Sequence, residues 1–311
     1  MIVPRALRSG AVIGLVALSS PQRDESRLER GIRYLESLGY RVQLGRHTYR
    51  RYRDYLAGTD AERCADLEAM FANPRIEAIF CTRGGYGSAR LLPLLNFDVI
   101  RRNPKIFVGF SDVTALQLAL WKRLRFVTFS GALPSVDMAD GFFPPAEQQF
   151  WDVLTRTSPG MELRNVGCRT ISKGSEEQET APTGTLLPAN LAMLCSLAGT
   201  PWLPSFTKSI LVLEDVGEEP YRIDRMLLQL RLSNVPQRVA ATVFGHFTPS
   251  PGQQHVSRDV LKEWAAESAG PVMSGFWYGH EREKFTVPVG IRAALTLRRP
   301  HITLLQAAVR D

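Results

Sequence analysis

Residues 105–121 read KIFVGFSDVTALQLALW, and the fold turns on how the chain passes through Ser111. Lys105 to Phe110 is a short apolar, β-prone run, and Val113 to Trp121 continues as a helix former. Ser111 therefore stands where a buried strand turns sharply into a helix. Two roles suit a serine at that point. Its side chain can accept the orphan N–H groups that open a helix, or it can be an enzyme nucleophile lifted on a strand-to-helix elbow. The stretch alone fits both.

Working outward, apolar runs at residues 11–17, 40–44, 76–82, 105–110 and 126–129 predict strands. Between them, residues 26–38 and 60–72 predict helices, and 90–95 begins another. Leu28, Ile32, Leu35 and Leu38 share one face of the first helix, and Gly39 closes it. Such β-α-β alternation predicts a twisted parallel sheet with its functional groups at the carboxyl ends of the strands. Ser111 lies on that edge. From about residue 150 to 183 the chain is polar and turn-rich, the composition of a linker or exposed hairpin. Beyond it, strands are expected at 209–213, 239–244, 271–274, 287–290 and 294–297, with a helix at 223–232. The expected organisation is an α/β domain at 1–150, a linker at 151–183, and a smaller C-terminal α/β domain at 184–311.

The bulk composition narrows the function. The chain has 311 residues, 44% hydrophobic and 22% charged, which suits one large or two medium globular domains. A formal charge of +7 could serve nucleic acid, a membrane surface or an anionic small substrate. The arginines are scattered, with pairs only such as Arg50-Arg51, Arg101-Arg102 and Arg298-Arg299, and no basic stripe is interleaved with aromatics. Neither nucleic acid nor membrane is the expected partner. Cys64, Cys81, Cys168 and Cys195 form no C-x-x-C pair, so neither a zinc site nor a disulfide framework is indicated. Residues 1–22 have the outline of a secretory signal, but the apolar run is short and reads better as the first strand. With single scattered cysteines, the expected compartment is the cytoplasm.

Several segments could carry chemistry. Arg83-Gly84-Gly85-Tyr86-Gly87-Ser88-Ala89-Arg90 follows a strand and opens a helix. The dinucleotide fingerprint fails, because Arg90 stands where its third small residue belongs. The loop can still be an oxyanion donor, or a turn that merely needs glycines. Among five histidines, His280 lies in an aromatic and glycine segment, with His246 at a strand end as its rival. Glu214 and Asp215 end the apolar strand at 210–213, where a carboxylate is costly unless it is paired or faces a cleft.

Together these segments form a pattern. TRGGYGSARLLP (82–93), GFSDVTA (109–115), LEDVGEEPYRIDRMLLQ (213–229), YGH (278–280) and TVPVG (286–290) resemble, in order and over most of the chain, the LD-carboxypeptidases of murein recycling and their microcin-immunity relatives. The resemblance implies a Rossmann-like domain with a nucleophile elbow, and a serine peptidase whose triad is split over two domains. It maps the nucleophile to Ser111, the acid to Glu214 rather than Asp215, and the base to His280 rather than His246. The oxyanion hole falls on the backbone N–H of Asp112 and of Gly84 or Gly85. Implied too are a murein tetrapeptide substrate cut before its terminal D-alanine, a homodimer, and no cofactor or metal. A product with a free carboxylate calls for a cation near the cleft, and Arg83, Arg222 and Arg225 are the candidates.

Alternatives of other kinds are a microcin-immunity-type hydrolase of peptidyl nucleotides and a non-catalytic two-domain binding module. The former needs aromatic rings for a base, for which Trp202, Trp277 or an aromatic within 150–183 is available. The chain departs from the family pattern at Pro188-Ala189-Asn190-Leu191, where Gly-Gly-Asn-Leu is usual, and in the aromatic run Phe276-Trp277-Tyr278, which is expected to narrow the pocket.

Overall fold

The computed structural model describes residues 1–174, 181–252, 254–256 and 258–311. Its first half runs β1 (Val12–Val16), α1 (Glu25–Ser37), β2 (Arg41–Leu44), α2 (Asp60–Ala72), β3 (Ile76–Cys81), α3 (Phe97–Arg102), β4 (Ile106–Gly109), α4 (Thr114–Leu124), β5 (Thr128–Ser130) and α5 (Pro144–Thr155). There follow β6 (Met161–Leu163), β7 (Arg169–Ser172), β8 (Thr183–Asn190), α6 (Leu191–Ser196), β9 (Ser209–Val216), α7 (Pro220–Leu232), β10 (Ala241–Thr248), α8 (Arg258–Glu267), β11 (Val272–Ser274), β12 (Val287–Val289), β13 (Arg292–Thr296) and β14 (His301–Leu304).

Two sheets result. The first has the order β12-β5-β4-β3-β1-β2, with β2, β1, β3, β4 and β5 parallel. β4 is buried throughout, as is nearly all of β1 and β3, which is why these strands read as unbroken apolar runs rather than alternating ones. The helices carry ordinary start signals. Asp24 accepts from the N–H of Ser26 at α1, and Thr59 with Glu62 forms a capping box at α2. Because β1 lies between β3 and β2, strand order reverses beside β1, and the loops after β1 and β3 open the crevice where ligands bind in such sheets. Ser111 follows β4, next to that crevice. Among the described residues no helix is long and apolar enough to cross a membrane.

The second sheet is mixed, β6-β14-β13-β8-β9-β10-β11-β7, with β8 to β11 parallel at its centre. Residues 151–183 hold the end of α5 and then β6 and β7, which pair with β14 and β11 at opposite edges of this sheet. Edge strands need few large apolar residues, so their composition resembles that of a linker. Residues 175–180 of that segment lie outside the described residues. The strand at 287–289, expected in the second domain, pairs antiparallel with β5 and closes the first sheet. Val287 and Val289 are fully buried there, each contributing about 1.5–3 kcal/mol. The late chain is thereby locked onto the first sheet.

Pro188 is accommodated by strand parity. Leu186 bonds Ile291 and the N–H of Asn190 bonds Thr114 Oγ1, so residues of this parity face away from β9. The missing N–H of Pro188 thus costs no bond to β9.

Candidate active site

Phe110 leaves β4 extended, and Ser111 then adopts φ +61°, a left-handed conformation uncommon for a residue with a Cβ. A short 3₁₀ turn, Ser111–Val113, leads into α4. Neither this turn nor α4 receives a side-chain capping bond, so Ser111 is not a helix cap. It is a half-buried hydroxyl held on a strained elbow. Gly84 permits the closest approach to it. A Cβ at Gly84 would lie 2.9 Å from the Cβ of Ser111 and 3.2 Å from the Phe110 carbonyl oxygen.

Asp112, almost wholly buried, ties the glycine loop to the elbow. Its Oδ2 accepts from Ser19 Oγ at 2.5 Å and from the N–H of Ser88 at 2.8 Å, and its Oδ1 accepts from the N–H of Gly87 at 3.2 Å. Its carbonyl accepts from Ser88 Oγ at 2.5 Å. Behind the loop, the fully buried Arg63 donates to the carbonyls of Leu18 and Gly87 and pairs with Asp60. Tyr86 donates its N–H to Ser20 Oγ. The N–H groups of Tyr86, Gly87 and Ser88 are therefore committed, whereas those of Gly84 and Gly85 have no acceptor among the described residues. Asp112 stands at the second position of its turn, where an N–H has no intrahelical partner. Uncommitted donors thus gather around Ser111.

The second domain supplies an acid and an imidazole. Glu214, near the end of β9 and fully buried, places Oε2 2.7 Å from His280 Nδ1. Asn190, at the end of β8, donates Nδ2 to Glu214 Oε1 at 3.1 Å and to Asp215 Oδ1 at 3.0 Å. With the carboxylate as acceptor, Nδ1 carries the imidazole proton and Nε2 is left for another partner. Phe110 packs on the imidazole with ring centroids 4.9 Å apart. Gly279, just before His280, passes so close to His246 that a Cβ would lie 2.9 Å from its Cβ.

His246 itself sits at a register shift of β10, gives its N–H to the carbonyl of Tyr278 and does not line the cavity. Asp215 turns to the backbone instead, accepting from the N–H groups of Ala192 and Val216. Burial, with Glu214 beside it, pushes the Asp215 carboxyl up to about 6.

Ser111, His280, Gly84, Gly85 and Arg83 line one cavity of about 710 Å³. Arg83 donates to the carbonyls of Gly84 and Pro21 and has no carboxylate partner among the described residues. Burial lowers its pKa, as do the nearby Arg23 and Arg27. The other two arginine candidates lie elsewhere. Arg222 pairs with Glu218 and is half exposed, and neither it nor Arg225 lines the cavity.

The aromatic run before His280 does not narrow the pocket either. Phe276 and Tyr278 are fully buried in the core, and Trp277 packs on Phe143 and Phe285. Trp202 stacks on Phe97 outside the cavity, and Trp151, the tryptophan of the 150–183 segment, stacks on Tyr40. The aromatics that line it are Phe110, Phe142 and Phe143.

Sequence reasoning passed over Asn190, which it met only as part of a departure from pattern, and Lys284. Lys284 Nζ lies 2.9 Å from Asp137 Oδ1 and 4.2 Å from the centre of the Phe110 ring, in a nearly dry ion pair on the cavity wall. Nothing local in the sequence pairs two residues so far apart in the chain.

Known proteins share this fold. Residues 13–131 match the LD-carboxypeptidase N-terminal domain and residues 183–295 its C-terminal domain. The chain is 34% identical to the murein tetrapeptide carboxypeptidase of Pseudomonas aeruginosa, over 91% of this chain and 93% of that one. The crystal structure of muramoyltetrapeptide carboxypeptidase from Oxalobacter formigenes superposes with a TM-score of 0.82 at 32% identity, covering 97% of this chain and all of the other. The microcin C7 self-immunity protein MccF of Escherichia coli is 27% identical over 96% of this chain and 94% of its own. Its wild-type apo structure gives a TM-score of 0.90 at 26% identity, covering 99% of this chain and all of that one. With both domains matched in order, and relatives named as carboxypeptidases along nearly the whole length, the chain belongs to the LD-carboxypeptidase family and is a serine-type carboxypeptidase.

Proposed function

We propose that the enzyme removes the terminal D-alanine from murein tetrapeptides in peptidoglycan recycling, through an acyl-enzyme on a Ser111–His280–Glu214 triad. His280 Nε2 takes the proton of Ser111 as Oγ attacks the carbonyl that joins the diamino acid to D-alanine. The tetrahedral oxyanion is received by the N–H of Asp112 and of Gly84 or Gly85. The proton passes to the departing amine, D-alanine leaves, and a water activated by His280 hydrolyses the ester to regenerate Ser111. Glu214 holds the Nδ1–H tautomer and stabilises the imidazolium. Arg83 receives the carboxylate of the D-alanine end. On this reading the enzyme acts in the cytoplasm, the compartment its scattered single cysteines suit, and as a homodimer, which the family resemblance implies.

The observation that carries the reading is the 2.7 Å pairing of His280 with a fully buried Glu214, beside a strained serine on the same cavity. A pure binding module has no use for that combination. The similarity to MccF keeps a peptidyl-nucleotide hydrolase as the rival, but Trp151, Trp202 and Trp277, the candidates for stacking a base, are packed against other rings and stand off the cavity wall. The test is release of D-alanine from a murein tetrapeptide by wild type, Ser111→Ala and His280→Ala. Release by wild type that is lost in both folded variants supports the proposal. Absence of release by wild type rejects the substrate.

A further inference from the structure

The charges on the cavity wall are mostly spoken for. Asp137 is paired with Lys284, and Asp140 with Arg27 and Arg30. Arg282 is exposed at the rim. Two half-buried charges on the wall remain without an opposite charge among the described residues. One is Arg83. The other is Glu281, next to the base, whose Oε1 accepts from Thr248 Oγ1 at 2.9 Å.

A half-buried carboxylate without a cation is costly to keep unless something supplies the cation. The hydroxyl of Thr248 offers one hydrogen bond and no charge. It fixes Oε1 from the end of β10 and leaves Oε2 for another donor. The cavity is large enough for a short peptide, and its free charges are of opposite sign. A substrate that satisfies both carries a carboxylate and an ammonium group. The sign of each charge makes the assignment without reference to chain direction, because only an anion improves Arg83 and only a cation improves Glu281.

We infer that Glu281 is a specificity-determining residue that receives the side-chain ammonium of the substrate's diamino acid. The inference rests on the proposed carboxypeptidase reaction and adds to it the residue that reads the free amine of the diamino acid before D-alanine. Peptides with an uncharged residue there leave Glu281 desolvated and unpaired. They lose affinity for that reason rather than for want of fit.

The test compares tetrapeptides whose diamino-acid side-chain amine is free or acetylated, with wild type and Glu281→Gln. Gln keeps the bond to Thr248 and removes the charge. The readout is the ratio of KM for the acetylated peptide to KM for the free one. We expect that ratio to be about tenfold or more in wild type, the weight of one charge-assisted hydrogen bond, and near one in Glu281→Gln. A ratio that is the same in both enzymes overturns the assignment.

Binding of the same two peptides to Ser111→Ala and to Ser111→Ala/Glu281→Gln, by calorimetry, separates this inference from the reaction it rests on. If wild type releases no D-alanine, a preference for the free amine that disappears in the double variant still supports Glu281. Equal affinities, or no binding of either peptide, overturn it.

Discussion

Asp112 holds Ser88 twice, accepting its N–H on Oδ2 at 2.8 Å and its hydroxyl on the main-chain carbonyl at 2.5 Å. The residue that follows Ser111 therefore fixes the loop that carries Gly84 and Gly85. The elbow exposes Ser111, but the uncommitted N–H groups of Gly84 and Gly85 come from a separate loop, and something must set the distance between them. Here that element is one carboxylate, nearly dry and surrounded by donors.

Asp112→Asn is expected to lower kcat by about ten- to a hundredfold, somewhat less than the loss of an oxyanion donor outright, with KM little changed. An amide accepts on one atom only, so at least one of the three donors now on the carboxylate loses its acceptor. A purely structural role predicts lower unfolding stability with kcat of the folded fraction intact. Steady-state kinetics alongside a thermal melt separate the two outcomes.

Glu214→Gln is expected to cost about 10²–10⁴ in kcat, because a side-chain amide can donate to Nδ1 and so favour the wrong imidazole tautomer. Asn190 sharpens this expectation. Its Nδ2 already donates to Glu214 Oε1, so the Gln oxygen is drawn to that side and its NH₂ is turned toward His280. A kcat within threefold of wild type removes Glu214 from the triad.

The elbow, the glycine loop, the acid and the imidazole were legible in the sequence because each is a short motif at the end of an apolar run. Position along the chain was enough to single out Ser111, Glu214 and His280; Ser111 and His280 line one cavity, and the buried Glu214 stands behind it, paired with His280. Motif membership misled for Arg222 and Arg225, which share α7 with a matched segment but stand outside the cavity wall. The strand at 287–289 carried no mark of its destination, since three buried residues fit the edge of either sheet. The aromatic run at 276–278 suggested a pocket because aromatic side chains serve cores and pockets alike, and here two of its three rings fill the core. Ion pairs such as Lys284 with Asp137 join distant parts of the chain, and no local pattern announces them.

Arg83 is expected to recognise a carboxylate. Its guanidinium already serves two carbonyls and is crowded by the like charges of Arg23 and Arg27, so an incoming anion relieves it. Arg83→Met should raise KM for a tetrapeptide with a free C-terminal acid about tenfold, and much less for the C-terminal amide analogue. Equal effects on acid and amide assign Arg83 to loop structure instead.

Asp215 gives the fold a pH dependence whose sign is set by its raised pKa. In the unfolded chain its carboxyl ionises near the ordinary value of 3.8, and in the folded protein near about 6, because burial and the neighbouring Glu214 oppose the charge. Below the lower value both states hold the proton and the group contributes nothing. Between the two values the unfolded chain has released its proton while the folded one retains it, so stability falls as pH rises, and above about 6 the penalty is constant. A shift of this size corresponds to roughly 3 kcal/mol. Asp215→Asn has no proton to release. Whatever fixed cost it incurs at the Ala192 and Val216 N–H groups, its stability relative to wild type should improve by roughly that amount from pH 4 to pH 7. Denaturant unfolding at the two pH values measures the change directly. Curves that stay parallel for variant and wild type show that Asp215 titrates alike in both states, and that Asn190 and the two backbone donors offset its burial in full.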